Sequence, residues 1–263
     1  MFITAAEQLH HPPKKIISLV PSITSLLHYF NLSEETTGIT KFCTIPEHWK
    51  DSKAIIGGTK NIKTDQIIKM KPDLIIANKE ENVKDQIECL ALDCPVWLTD
   101  IITLDDALEM IETLGRFTQK NKEAKQLTER IKLNFDNLAI TQVKKYRTCY
   151  LIWKEPYMTI GNDTFIHEML CKAGLENIFA DRKRYPVITI DELQKLQPEL
   201  ILLSSEPYPF REKHVAYLQA IFTNSIIELV DGISFSWYGD QIQQSAIYFK
   251  ELHEKIIQRT TMF

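Results

Sequence analysis

One stretch of this chain occurs twice. TDQIIKMKPDLIIANKEE, Thr64–Glu81, returns in altered form within TIDELQKLQPELILLSSEP, Thr189–Pro207, at an offset of 126 residues. Asp65, Lys69, Pro72, Leu74, Ile75 and Glu80 meet identical partners in Asp191, Lys195, Pro198, Leu200, Ile201 and Glu206. In each copy a short helix must end at the proline, which disfavours helical geometry at the residue before it. The apolar run that follows, LIIA or LILL, reads as a buried strand of a parallel sheet. A repeated helix–proline–strand unit points to two related α/β lobes. The midpoint between Asp65 and Asp191 is Thr128, so the connection between the lobes should run through it.

Thr128 lies in KNKEAKQLTERIKLNFDNL, Lys120–Leu138, where Ala124, Leu127, Ile131, Phe135 and Leu138 form one apolar stripe at spacings of three and four. No glycine or proline interrupts it. A helix of that length is about 30 Å long at 1.5 Å per residue, enough to span two lobes and to resist a wide hinge swing. The predicted organisation is therefore an N-terminal lobe over 1–103, a helical connection over 104–143 that includes a packing helix at Leu104–Phe117, and a C-terminal lobe over 144–263. Met1–Lys14 reads as a polar, proline-marked lead-in. The run IISLV then closes at Pro21, with Ser22 as the expected N-cap of a helix carrying Ile23, Leu26, Leu27 and Phe30. Further strands are predicted at Thr37–Thr40, Pro95–Thr99, Cys149–Trp153 and Tyr157–Ile160, and DTFIHEMLCKAGL reads as a helix closed by Gly174.

The bulk properties exclude several classes of function. A formal charge of −4 and no long run of one sign provide no field for nucleic acid or anionic membrane. Five cysteines without a CxxC pair argue against a disulfide framework or a zinc site, although Cys89 and Cys94 are near enough in sequence to pair in an oxidising compartment. The seven histidines fall at no metal-ligand spacing, and His167-Glu168 lacks the second histidine of a zinc protease. No nucleophile elbow, P-loop or dinucleotide fingerprint is present, so no catalytic residue is assigned. Cys43 with His28 or His48 is a thiol–imidazole pairing to test.

Parallel α/β sheets bind ligands at the carboxyl ends of their strands, and here those loops are rich in aromatic residues. Phe42 in the first half, and Trp153, Tyr157, Tyr185, Tyr208, Trp237 and Tyr238 in the second, suggest a site for a large, flat, partly apolar ligand; each ring could instead pack beneath its loop. FSWYGD, Phe235–Asp240, stands out as a loop with two large rings beside a glycine. Lys60, Glu80 and Glu206 are candidates to orient the ligand, the two acids because they hold equivalent places in the repeat. Asp65 and Asp191 sit in the first turns of their helices, where dipole compensation alone accounts for them, and Thr189 with Glu192 forms a predicted capping box. Their paired placement also suits a two-point docking surface.

The motifs IISLVPSIT, TDQIIKMKPDLIIA, LDDALEMIETLGRFT with the helix after it, and GNDTFIHEML followed by GLENIFAD resemble the substrate-binding proteins of ABC importers for cobalamin, haem and ferric siderophores. The resemblance covers Lys15 to about Phe249 and lies nearest the cobalamin-binding branch. It implies a class III periplasmic-binding-protein architecture, with two α/β lobes joined by one rigid helix and a ligand held in the cleft between them. No cofactor is implied beyond the ligand itself, a corrinoid or other metal chelate. The implied partners are that small molecule and an ABC permease with its ATPase subunits, with the chain itself a monomer. Docking acids map onto Asp65 and Asp191, and ligand-facing aromatic positions map onto or near Phe42, Trp153, Tyr185 and Trp237. Thr59 and Asn78 occupy places where cobalamin binders often carry tryptophan, and Asp240-Gln241 stand where an arginine is common. A periplasmic or cell-surface location follows from the resemblance. The start, MFITAAEQLHHPPKK, has no basic and apolar leader pattern, which keeps a cytoplasmic binding or sensing role open.

Overall fold

The computed structural model describes residues 1–138 and 145–260. It divides into two compact units. One comprises Met1–Ile101, Asp105–Arg130 and Tyr238–Gln241, and the other Ile102–Leu104, Ile131–Trp237 and Ile242–Phe263. The predicted lobe boundary at 143/144 lies outside the described residues.

The first unit strings together β1 (Phe2–Ile3), β2 (Ile16–Ser18), α1 (Pro21–Tyr29), β3 (Thr36–Ile39), α2 (Trp49–Ser52), β4 (Ala54–Ile55), α3 (Thr64–Met70), β5 (Leu74–Asn78), α4 (Lys84–Asp93) and β6 (Val96–Thr99). Its sheet has the order β1-β6-β5-β2-β3-β4, with each neighbouring pair parallel. The lead-in is thus partly a strand. Phe2 and Ile3 pair with Val96 and Trp97 at the sheet edge, and buried Ile3 supplies the apolar anchor of a strand too short to show a periodic pattern in the sequence. Helix α1 also begins differently from the expectation. Val20 is the N-cap and Pro21 is the first helical residue, where the fixed φ of proline suits the helix and its missing N–H costs nothing.

α5 (Leu104–Thr118) and α6 (Asn121–Asp136) follow, separated by Gln119 at φ 58°. α6 is shorter than predicted. Its 16 residues give about 24 Å, and the 19-residue α11 described below is longer. Ala124, Leu127 and Ile131 are buried along its stripe, as the periodicity requires.

The second unit contains β7 (Arg147–Leu151), β8 (Tyr157–Met158), α7 (Phe165–Lys172), β9 (Glu176–Asn177), β10 (Val187–Ile188), α8 (Ile190–Leu196), β11 (Leu200–Ser204), α9 (Glu212–Ile221), β12 (Ile226–Val230), α10 (Gly232–Ser236) and α11 (Ile242–Thr260). Its main sheet runs β12-β11-β7-β9, all parallel. The predicted Tyr157–Ile160 strand instead joins β10 in an antiparallel pair outside that sheet.

The sequence repeat is a structural repeat. α3 and α8, and β5 and β11, begin and end at the same 126-residue offset. Lys71 and Gln197, each followed by proline, both adopt the left-handed conformation that stops the helix. Ile67, Ile75 and Ala77 enter one core, while their counterparts Leu193, Ile201 and Leu203 enter the other.

Candidate ligand-binding site

The strand-end loops of each unit are fixed from below by the last residue of the repeated strand. In the first unit, fully buried Asn78 accepts from the backbone N–H groups of Glu80 (2.8 Å) and Glu81 (3.2 Å), and its amide donates to Thr99 Oγ1 (3.1 Å). Asn82 extends the scaffold by donating to the carbonyls of Leu19 (3.2 Å) and Thr59 (3.1 Å). The Lys60 ammonium donates to the Glu80 carbonyl, which brings two of the predicted polar residues together. Phe42 is 53% exposed, with Lys41 Nζ 5.1 Å from its ring centroid. A Cβ on Gly58 would sit 3.0 Å from the Phe42 ring edge, so the glycine is what lets that ring lie close. Asn78 is buried under the loop and not displayed on it, which makes it a structural amide.

In the second unit, Ser204 occupies the place of Asn78. Its hydroxyl accepts from Tyr150 Oη (3.1 Å) and donates to the Glu206 carbonyl (2.5 Å). Glu206 is turned inward. Its Oε1 accepts from Trp237 Nε1 (2.6 Å) and Ser236 Oγ (3.0 Å). Burial raises its pKa, opposed by those two hydrogen bonds and assisted by the charge of Asp231. Trp237 is only 7% exposed, so this bond fixes an indole that is mostly enclosed. Gly232 permits the packing, because a Cβ there would fall 2.6 Å from both Glu206 Cγ and Ser204 Oγ. Trp153, 39% exposed, stands edge-on to half-buried Tyr208 with centroids 5.5 Å apart. Tyr157 and Tyr185 are half-buried, and burial pushes the Tyr157 phenol pKa up.

FSWYGD is not wholly a loop. Phe235 and Ser236 close α10, Trp237 caps it, and Tyr238–Gln241 belong by their contacts to the first unit. There Asp240 Oδ2 accepts from Ser25 Oγ (3.0 Å) and from its neighbour Gln241 (2.7 Å), and buried Tyr238 accompanies it. Burial raises the Asp240 pKa as well.

Asp65 and Asp191 are both exposed, and each lines a surface hollow of its own unit, of about 700 and 540 Å³ respectively. The predicted capping box at α8 is half formed. Thr189 accepts from the Glu192 N–H (3.2 Å), but the Glu192 carboxylate binds Arg182, since an arginine offers it a stronger, charge-assisted partner. The Cys43 pairing is not formed. Its Sγ contacts Thr24 and Thr40 at 3.1 and 3.3 Å, and burial raises its pKa, the reverse of an activated nucleophile. His28 packs edge-on against His48 and Trp49. All five cysteines, including Cys89 and Cys94, are free. Among the described residues no three His, Cys, Asp or Glu side chains are grouped to hold a metal ion, and no helix is long and apolar enough to cross a membrane.

Residues 16–223 match the model of the family described as periplasmic binding protein. This chain belongs to that family. It is 28% identical over 202 residues to an ABC transporter substrate-binding lipoprotein, YvrC, of Bacillus subtilis (strain 168), a match that spans 72% of this chain and 63% of that protein. It is 24% identical over 232 residues to the vitamin B12-binding protein of Yersinia pestis (strain Pestoides F), spanning 86% of this chain and 80% of that one. A possible iron-binding (periplasmic solute-binding) protein from Staphylococcus epidermidis ATCC 12228 shares the fold with a TM-score of 0.76 at 24% identity, covering 94% and 99% of the two chains. The α/β, parallel-sheet architecture of this family member is therefore that of periplasmic binding proteins. Relatives of this kind are named for ligands they carry, not for reactions or cofactors.

Proposed function

We propose that this chain is the substrate-binding component of an ABC importer, carrying cobalamin or a related corrinoid or metal chelate to a membrane permease and catalysing no reaction. The observation that carries the ligand class is the exposed Trp153 ring braced edge-on by Tyr208 at the carboxyl end of β7, a surface suited to a flat, partly apolar face. Phe42, Lys60 and Glu80 at the strand ends of the first unit, with Tyr157, Tyr185, Glu206, Trp237 and Tyr238, complete the set assigned to binding. Haem or a ferric siderophore is the alternative cargo, favoured by the iron-binding description of a protein with the same fold. Asp65 and Asp191 serve as docking acids. Support comes from their exposure and their equivalent positions beside a hollow in each unit. Such a carrier works as a monomer in the periplasm or at the cell surface.

Titration of the purified chain with cyanocobalamin, its corrinoid precursors, haemin and a ferric siderophore tests the ligand class. Binding of one of these well below 100 μM is expected, because burial of so large a ligand should exceed roughly 5 kcal/mol. Failure to bind any of them ends the proposal. Reversing Asp65 and Asp191 to lysine should abolish uptake while leaving ligand affinity unchanged. Unimpaired uptake would instead favour a binding or sensing protein that uses the scaffold without a transporter.

A further inference from the structure

His214 fixes the direction of a hydrogen bond at Tyr208. It is the third residue of α9 and 6% exposed. Its Nδ1 accepts the backbone N–H of Arg211 at 2.9 Å. A ring nitrogen that accepts must present a lone pair, so the neutral imidazole carries its proton on Nε2. Nε2 lies 3.4 Å from Tyr208 Oη. The histidine is therefore the donor and the phenol oxygen the acceptor, which leaves the phenol's own proton to be given elsewhere. The Tyr208 ring is held while this happens. Trp153, Phe210 and His214 stand edge-on to it at 5.5, 4.8 and 5.6 Å, and Phe210 braces His214 at 5.4 Å.

We infer that Tyr208 donates its hydroxyl hydrogen bond to an acceptor oxygen at the edge of the ligand, a carboxylate or an amide carbonyl, and that His214 is the positioning residue that sets this polarity. The inference rests on the carrier function proposed above and narrows it to chelates with a peripheral acceptor oxygen beside their flat face. The neutral state of His214 is favoured by its surroundings. Burial and the positive charges of Lys213, Lys154 and Arg211 all lower the imidazole pKa, and a second proton on Nδ1 would oppose the Arg211 N–H.

Long-range ¹⁵N correlation spectra of the labelled full chain at pH 7 test the first half without any ligand, with His214→Gln to assign the signals. The expected pattern is an unprotonated Nδ1 and a protonated Nε2. The opposite tautomer, or a cationic ring, overturns the inference. Affinities for cyanocobalamin and haemin test the second half. Tyr208→Phe should weaken the bound probe about tenfold and lower thermal stability slightly, because the buried His214 N–H loses its acceptor, with an unchanged far-UV circular dichroism spectrum. His214→Gln, whose amide can accept from Arg211 and donate to Tyr208 together, should retain affinity to within about threefold, and His214→Leu should not. A Tyr208→Phe variant that binds like wild type removes the ligand contact. A wild-type chain that binds neither of these probes, nor the corrinoid precursors or ferric siderophore named above, defeats the carrier reading and the contact with it, while the tautomer still decides the direction of the bond.

Discussion

The two copies of the repeat share a backbone and differ in what they hold at its end. Thr64–Asn78 and Ile190–Ser204 match in helix length, in the left-handed residue before each proline and in the five-residue strand that follows. Even the acids that begin the strands act alike. Asp73 accepts the incoming N–H groups of Lys14 and Lys15, and Glu199 accepts that of Arg147. The chemistry separates at the last strand residue. Asn78 spreads its amide over Glu80, Glu81 and Thr99, whereas Ser204 makes fewer bonds and leaves Glu206 to reach inward to Trp237. Shared apolar positions keep the fold, and the polar residue at the carboxyl end is where the lobes specialise.

The largest expected effect tests the shared part. Leu74 and Leu200 are both fully buried, so Leu74→Ala and Leu200→Ala should each cost about 3 kcal/mol in urea denaturation. Values that differ by more than about 2 kcal/mol would show that the two cores are not equivalent, since burial alone predicts near equality. The next effect tests the divergence. Asn78→Ala strips hydrogen bonds from the half-buried N–H groups of Glu80 and Glu81 and from buried Thr99, and should cost roughly 2–3 kcal/mol. Ser204→Ala should cost only about 1 kcal/mol. Equal losses would break the distinction drawn here.

What the sequence reveals follows the same division. Apolar spacing and proline punctuation locate α3, β5, α8 and β11, with each strand running one residue past the apolar run LIIA or LILL, because burial and backbone sterics act locally and periodically. The site is less legible. Glu80 and Glu206 are equivalent in the repeat, yet one offers its carbonyl to Lys60 and the other its carboxylate to Trp237, a contact 31 residues away that no local pattern encodes. Phe2–Ile3 is hidden for the same reason, since a two-residue edge strand owes its existence to β6. His214 carried no motif at all. Asn78 and Ser204 did carry a signal, being polar residues at the end of a buried apolar run and at the same offset.

Acidification should separate the two units next. Burial lowers the pKa of His167, His214 and His253, all in the second unit. A depressed folded pKa means the unfolded chain binds protons first, so stability is intact above about pH 6.5 and falls as pH drops through the folded values, by at most about 1.4 kcal/mol per pH unit for each histidine. Glu206 in the same unit and Asp240 in the first work in the opposite sense. Their raised pKa makes the folded chain the better proton binder, so their contribution falls as pH rises from the unfolded carboxylate values of about 4 through the folded ones. Unfolding monitored by probes in each unit should show the second losing stability between pH 7 and 5.5 while the first holds or gains. A first unit that weakened equally would mean that the histidines do not govern the response.

The smallest expected effect lies at the starts of the repeated helices. Thr189 enters α8 with ψ 159° and its hydroxyl accepts from Glu192 N–H, so Thr189→Ala should cost about 1 kcal/mol. Lys63 precedes α3 with ψ 74° and makes no side-chain cap. Installing a threonine there would not reproduce the missing bond, because the backbone does not enter in the extended conformation that brings a capping hydroxyl to the second and third N–H groups. Lys63→Thr should therefore change stability by less than about 0.5 kcal/mol. A gain near 1 kcal/mol would show that α3 lacks only the residue and not the geometry. The two copies would then differ by substitution alone, with no difference in how the chain arrives.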